Sequence, residues 1–155
     1  TVMEKILISS CFLGNKVRYD GGDNLLINTT LKRWQQAQRL VVICPELAGG
    51  LSVPRAPAEI KIIDEKIIVS TNVGEEVTDA FERGAKQALL LCHEHDIHYA
   101  LLKESSPSCG SSTIYNGEFK HVKISGQGVT TALLRAHGIK VFSEQNLMAL
   151  ISELS

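Results

Sequence analysis

Four thiols, at Cys11, Cys44, Cys92 and Cys109, are the most chemically versatile side chains in this 155-residue sequence. A thiolate can act as a nucleophile, a redox partner or a soft metal ligand. No pair forms a CxxC, and four cysteines in a chain this long are too sparse for a small disulfide scaffold. Three of them share a setting. Cys11 and Cys44 each close a short apolar run, and Cys109 lies seven residues beyond Leu102, which closes another. All three stand in segments rich in Gly, Ser or Pro. Such a set suits a soft metal centre: zinc with a fourth ligand, or an iron–sulfur cluster. Cys92 instead shares a helical stripe with Phe81, Ala85, Ala88 and Leu89, where a small buried hydrophobe is expected. His93, His95 and His98 gather where that helix turns into the next strand, at the opposite end of the sheet from the other cysteines. They read as solvated helix-end cations. Three cysteines with no evident fourth ligand favour a cluster with one open iron.

Such a centre needs a scaffold that brings three strand ends to one place. Residues 5–10 (KILISS), 40–44 (LVVIC), 99–102 (YALL) and 139–142 (IKVF) read as buried strands. Helices are expected after the Asn28-Thr29-Thr30 capping group, from Thr71 or Asn72 to about His95, over 129–137 before Gly138, and over 144–154. Residues 59–63 and 66–70 alternate around Asp64-Glu65 as a hairpin, and 113–120 suggests a second, turning at Asn116-Gly117. The stretches 14–22 and 45–57 read as loops. This order predicts an α/β fold: a single-domain (1–155), Rossmann-like three-layer sandwich with a mostly parallel sheet and small hairpin additions. Open sheets of this kind take ligands beyond the carboxyl ends of their strands, where Cys11, Cys44 and Cys109 fall.

Composition narrows the function classes. With 16 basic and 17 acidic residues the net charge is −1, so no global pull toward nucleic acid is expected. No apolar run approaches the roughly 20 residues of a membrane span. The opening residues lack the basic head, apolar middle and cleavage site of a signal peptide, so a cytoplasmic protein with free thiols is expected. Neither Gly pair belongs to a GxGxxG or a P-loop, and Gly126-Gln127-Gly128 ahead of a helix is only a weak anion-site signal. Glycines 21–22 and 49–50 suit tight turns or close backbone approach. Arg18 is expected to pair with Asp20, and Arg55 with a carboxylate such as Glu59. No internal repeat is present, and no feature sets an oligomeric state.

The most specific blocks surround the three cysteines. They begin with Ser10-Cys11-Phe12-Leu13-Gly14, Arg18-Tyr19-Asp20-Gly21-Gly22 and Cys44-Pro45-Glu46-Leu47-Ala48-Gly49-Gly50-Leu51. Pro54-Arg55-Ala56-Pro57-Ala58-Glu59 and Lys103-Glu104-Ser105-Ser106-Pro107-Ser108-Cys109-Gly110 follow, then Gly126-Gln127-Gly128-Val129-Thr130 and Phe142-Ser143-Glu144. In this order and over essentially the whole chain, they resemble the bacterial family that includes the thiouracil desulfidases. The resemblance implies a [4Fe–4S] cluster on Cys11, Cys44 and Cys109, whose fourth iron is free to take substrate sulfur. It also implies an acid/base carboxylate at Glu46 and a substrate-assisting serine at Ser106.

The implied reaction is hydrolytic: 2-thiouracil, or a related thiolated pyrimidine, plus water gives uracil and hydrogen sulfide. An undercoordinated iron is a Lewis acid for the soft thiocarbonyl sulfur, and drawing electrons from the ring carbon exposes it to water. Glu46 then handles the proton of that water, and Ser106 holds the ring edge or the water. Two other readings of the residues stay open: a zinc- or thiol-dependent hydrolase, and a non-catalytic iron–sulfur sensor or sulfur-transfer accessory protein.

Overall fold

Short runs of Ile, Leu and Val leave a strand no polar face, so they pair with one another and are covered on both sides. The computed structural model describes residues 4–16, 18–22 and 24–154. The 14–22 loop expected from sequence is thus described except at position 17. In chain order the elements are β1 (Ile6–Ser9), α1 (Thr29–Gln36), β2 (Leu40–Ile43), α2 (Pro45–Ala48), β3 (Ala58–Ile63), β4 (Lys66–Thr71) and α3 (Thr78–Glu94). They continue with β5 (Tyr99–Leu101), β6 (Thr113–Tyr115), β7 (Lys123–Ser125), α4 (Val129–Ala136), β8 (Lys140–Phe142) and α5 (Leu147–Glu153). Four strands form a parallel sheet in the order β2-β1-β5-β8.

Alternation along each strand divides the core into two layers. Ile6, Ile8 and Leu101 face Leu31 and Trp34 of α1 and Leu147 and Leu150 of α5. Leu7, Ala100 and Val141 face Ala88 and Cys92 of α3 and Leu134 of α4. The three-layer α/β sandwich expected from the sequence is the one observed. Its order has a consequence for function. The chain leaves β1 toward β2 on one side and returns to β5 on the other, so a switch point opens beyond the ends of β1 and β5. Among the described residues no helix is long and apolar enough to cross a membrane.

Local chemistry accounts for the ends. Asn28 Oδ1 accepts the N–H groups of Thr30 at 2.9 Å and Leu31 at 3.1 Å, a cap for α1 that stabilises by about 1 kcal/mol. Asp64 and Glu65 both take positive φ, as a two-residue hairpin turn requires, and Ile63 faces Lys66 as expected.

Several boundaries differ from expectation. α3 starts at Thr78 rather than near Thr71, because Thr71 still pairs with Ala58 and its N–H donates to Glu75 in a return turn. The second hairpin pairs Thr113–Tyr115 with Lys123–Ser125 around a wider turn than one centred on Asn116-Gly117. That turn is tied to β3, since Glu59 Oε1 accepts the N–H groups of Gly117 and Phe119. The 45–57 stretch opens with the short α2 instead of running as loop throughout. The hairpins pack onto the sandwich through Ile60, Val69 and Ile114 against Phe81 of α3. They wall the space beyond the strand ends.

Candidate functional site

A cleft of about 840 Å³ lies at the carboxyl edge of the sheet, and Cys11, Cys44 and Cys109 all line it. Glu46 and Ser106 line the same cleft. Cys92 does not; it is 1% exposed on α3 within the core. His93, His95 and His98 are also outside the lining, as their place at the far edge requires, and His98 instead meets Glu4 and Asp96.

Each cysteine is delivered by a different device. Cys11 sits in the 3-10 turn Ser10–Leu13 that caps β1. Cys44 is the N-cap of α2, with Pro45 preset for the first helical position. α2 is seated by direct backbone contact with α3. A Cβ on Gly84 would stand 1.8 Å from the Pro45 carbonyl oxygen, and one on Gly49 would stand 1.9 Å from that of Ala80. Only glycine permits this approach, which sets where Cys44 and Glu46 emerge.

The Cys109 loop leans on the start of α4. Val129 N–H donates to Pro107 O at 2.9 Å, Thr130 N–H to Ser108 O at 2.8 Å, and Thr131 Oγ1 to Cys109 O at 2.8 Å. A Cβ on Gly128 would lie 2.4 Å from the Ser108 carbonyl, so that position too must be glycine. This corrects the weak anion-site reading of Gly126-Gln127-Gly128: carbonyls of the Cys109 loop occupy the helix start. Ser106 Oγ accepts the N–H groups of Ser108 and Cys109, each at 3.2 Å. With its lone pairs so used, the group Ser106 offers a ligand is its O–H.

Burial is the main force on all three thiols, and it pushes each of them up. For Cys109 it is reinforced by the charges of Glu46 and Cys44, and the thiol is pushed up to about 12. The Asn24 side chain and, more weakly, the Lys103 charge oppose it at Cys11. The Leu47 backbone N–H and Arg55 do so at Cys44. Cys44 raises both of its partners, so three thiolates here repel one another. A cationic centre that displaces their protons relieves that repulsion, which is the condition the donor set fits. Among the described residues no three His, Cys, Asp or Glu side chains are grouped for a single metal ion. Three thiols lining one cleft are of the donor type that soft metals and iron–sulfur clusters take.

Arg55 is partnered differently from expectation. It pairs with Glu46 Oε2 rather than with Glu59, whose carboxylate is engaged by the β6–β7 turn. Arg18 does pair with Asp20, at 3.3 Å, and also donates to Asn24 Oδ1, which links the mouth of the cleft to the Cys11 side. Ser9, Asn24 and Lys103 were not foreseen as site residues. Ser9 Oγ reaches Cys109 Sγ at 3.8 Å and accepts the Lys103 N–H at 3.1 Å. The signal for Ser9 was its place at the end of β1, one residue from the cysteine-bearing turn.

The family model described as 2-thiouracil desulfurase matches residues 6–146, which include every segment of the cleft's cysteine wall. The Bacillus subtilis (strain 168) protein "Uncharacterized protein YbbK" is 40% identical over 148 residues, covering 92% of this chain and 97% of its own. A solved structure of TudS, described as a [4Fe-4S]-dependent thiouracil desulfidase, is 50% identical with a TM-score of 0.90. That likeness covers 98% of this chain and 99% of TudS. Fold, cysteine placement and a match over most of the sequence agree, and the chain belongs to the 2-thiouracil desulfurase family.

Proposed function

We propose that this protein removes sulfur from 2-thiouracil, or a closely related thiolated pyrimidine, at a [4Fe–4S] cluster held by Cys11, Cys44 and Cys109. The observation that carries the reading is the meeting of three free thiols, Cys11 and Cys109 buried and Cys44 half-buried, with Glu46 and Ser106 in one cleft. The dependence of TudS on such a cluster, at 50% identity, supports it. When bound, the cluster supplies a Lewis-acidic iron without a protein ligand, suited to a soft thiocarbonyl sulfur.

The chain's own groups do the rest. Arg55 engages Glu46 Oε2 and fixes the carboxylate against the cleft wall, leaving Oε1 to accept a proton from the attacking water. The water oxygen bonds to the ring carbon, and Glu46 returns the first proton to the departing sulfur as the carbon–sulfur bond breaks. The second passes from the new hydroxyl to the sulfide as the carbonyl forms. Ser106 donates its O–H to the ring edge or the water. Uracil and hydrogen sulfide balance thiouracil and water, with no net electron transfer. A reducing, cytoplasmic setting fits the four free thiols.

The test is anaerobic purification, a visible spectrum, iron and sulfide assay, and hydrogen sulfide release from 2-thiouracil. About four irons per chain and steady release are expected. Stoichiometric zinc without iron would overturn the cluster assignment. A fully loaded protein that leaves thiolated pyrimidines intact would overturn the catalytic one.

A further inference from the structure

Glu104 follows β5 and is 2% exposed; among the described residues no other Asp or Glu is buried. A buried carboxylate is expensive unless its oxygens are fully engaged. Here the partners all come from one short segment. Oε1 accepts the N–H groups of Ser105 at 3.1 Å, Ser111 at 2.9 Å, Ser112 at 3.0 Å and Thr113 at 3.1 Å. Oε2 accepts the hydroxyls of Ser111 at 2.6 Å and Ser112 at 3.1 Å. The Thr113 hydroxyl reaches Oε1 at 3.4 Å.

These donors stand at the two ends of the segment 105–113, and Ser106 and Cys109 lie between them. Ser105, at the first end, is held at φ 64°, a left-handed conformation that a serine keeps only when its surroundings impose it. Its hydroxyl meets that of Thr113 at 2.8 Å, which closes the two ends on each other beside the carboxylate. Glu104 is itself anchored, since its N–H donates to Glu144 Oε1 at 2.8 Å. Burial pushes its carboxyl up, but the Ser111 hydroxyl and the surrounding N–H groups outweigh that and hold it well below the usual carboxylate range. The group is an anion, and the loop is its solvation shell.

We propose that Glu104 is a positioning residue: its buried carboxylate gathers both ends of the 105–113 segment and thereby presents Cys109 and Ser106 to the cleft. The consequence for cofactor binding rests on the assignment of Cys109 as a cluster ligand; the loop architecture does not.

Full-length Glu104→Gln and Glu104→Ala proteins, freed of metal, test this by timed iodoacetamide labelling read cysteine by cysteine in a mass spectrometer. Reconstitution with iron and sulfide follows. Cys109 labelling should accelerate by about tenfold in Glu104→Ala as the loop opens locally, with Cys92 labelling unchanged. Glu104→Gln, which retains one acceptor oxygen, should give a smaller rise, and iron per chain should fall in the same order. Should the alanine variant fail to fold, the glutamine variant decides. Unchanged Cys109 labelling would overturn the proposal, as would Cys92 and Cys109 accelerating together. If labelling behaves as expected but the unmodified protein binds no iron, the cluster assignment fails while the positioning role stands.

Discussion

The Cys109 loop and the buried face of α3 contribute thiols to the same apolar cluster, alongside Leu7 and Leu134. Cys109 is 5% exposed and Cys92 is 1% exposed, and for both burial is the largest influence, with the thiols pushed up to about 12 and about 11 respectively. By depth alone they are alike. Around Cys92 burial is the one influence at work. Around Cys109 the charges of Glu46 and Cys44 act as well, and the Ser108 and Ser9 side chains hydrogen-bond the thiol. Hence burial does not separate a packing cysteine from one proposed as a ligand. What separates them is whether the fold has gone on to assemble other charged and hydrogen-bonding groups around the sulfur.

The largest effect that would sharpen this contrast is expected at Glu46. Glu46→Gln should lower the turnover rate by about 10²–10⁴-fold, the range for a lost general base, while iron content stays unchanged. Loss of iron as well would place Glu46 in holding the centre rather than in the chemistry. Next comes the loop carboxylate. Because folding depresses its pKa, Glu104 stabilises the fold above the ordinary carboxylate value of about 4.3. That contribution fades as pH falls below this value toward the folded one. Glu104→Gln should therefore cost about 1.5–3 kcal/mol at pH 7. Urea titrations should show the gap between variant and parent narrowing from pH 5 to pH 3.

A backbone contact supplies the third prediction. Gly84→Ala puts a methyl group into the Pro45 carbonyl, so α2 must move. Calorimetry should register a loss of about 1–3 kcal/mol. Cys44 and Glu46 shift with α2, so turnover should fall too. The smallest effect belongs to the packing thiol. Cys92→Ala should cost about 1 kcal/mol and leave colour and turnover in place.

Much of this was legible in the residues. Contiguous apolar runs gave away the parallel strands, and the helical stripe around Cys92 separated it from the other three cysteines. The hairpin at Asp64-Glu65 followed from local turn geometry. What stayed hidden depends on residues distant in sequence. Gly84 looks like an ordinary flaw in a helix until Pro45, 39 positions earlier, is seen against it. Arg55 had two carboxylates within reach, and the β6–β7 turn had already engaged Glu59. α3 began later than its polar lead-in suggested because β4 retained Thr71 for pairing. Glu104 did carry a local signal, an acid directly ahead of a serine-rich stretch of backbone donors. Its burial was not visible.

The central claim is that three cysteines hold the reactive centre and one is packing. Its most direct test is cluster content and sulfide release in Cys11→Ala, Cys44→Ala, Cys109→Ala and Cys92→Ala, each purified and reconstituted without oxygen. The first three should lose both the iron–sulfur absorption and hydrogen sulfide release from 2-thiouracil, and the fourth should keep both. A stable cluster and undiminished release in any of the first three, or loss of both in a folded Cys92→Ala protein, would contradict it.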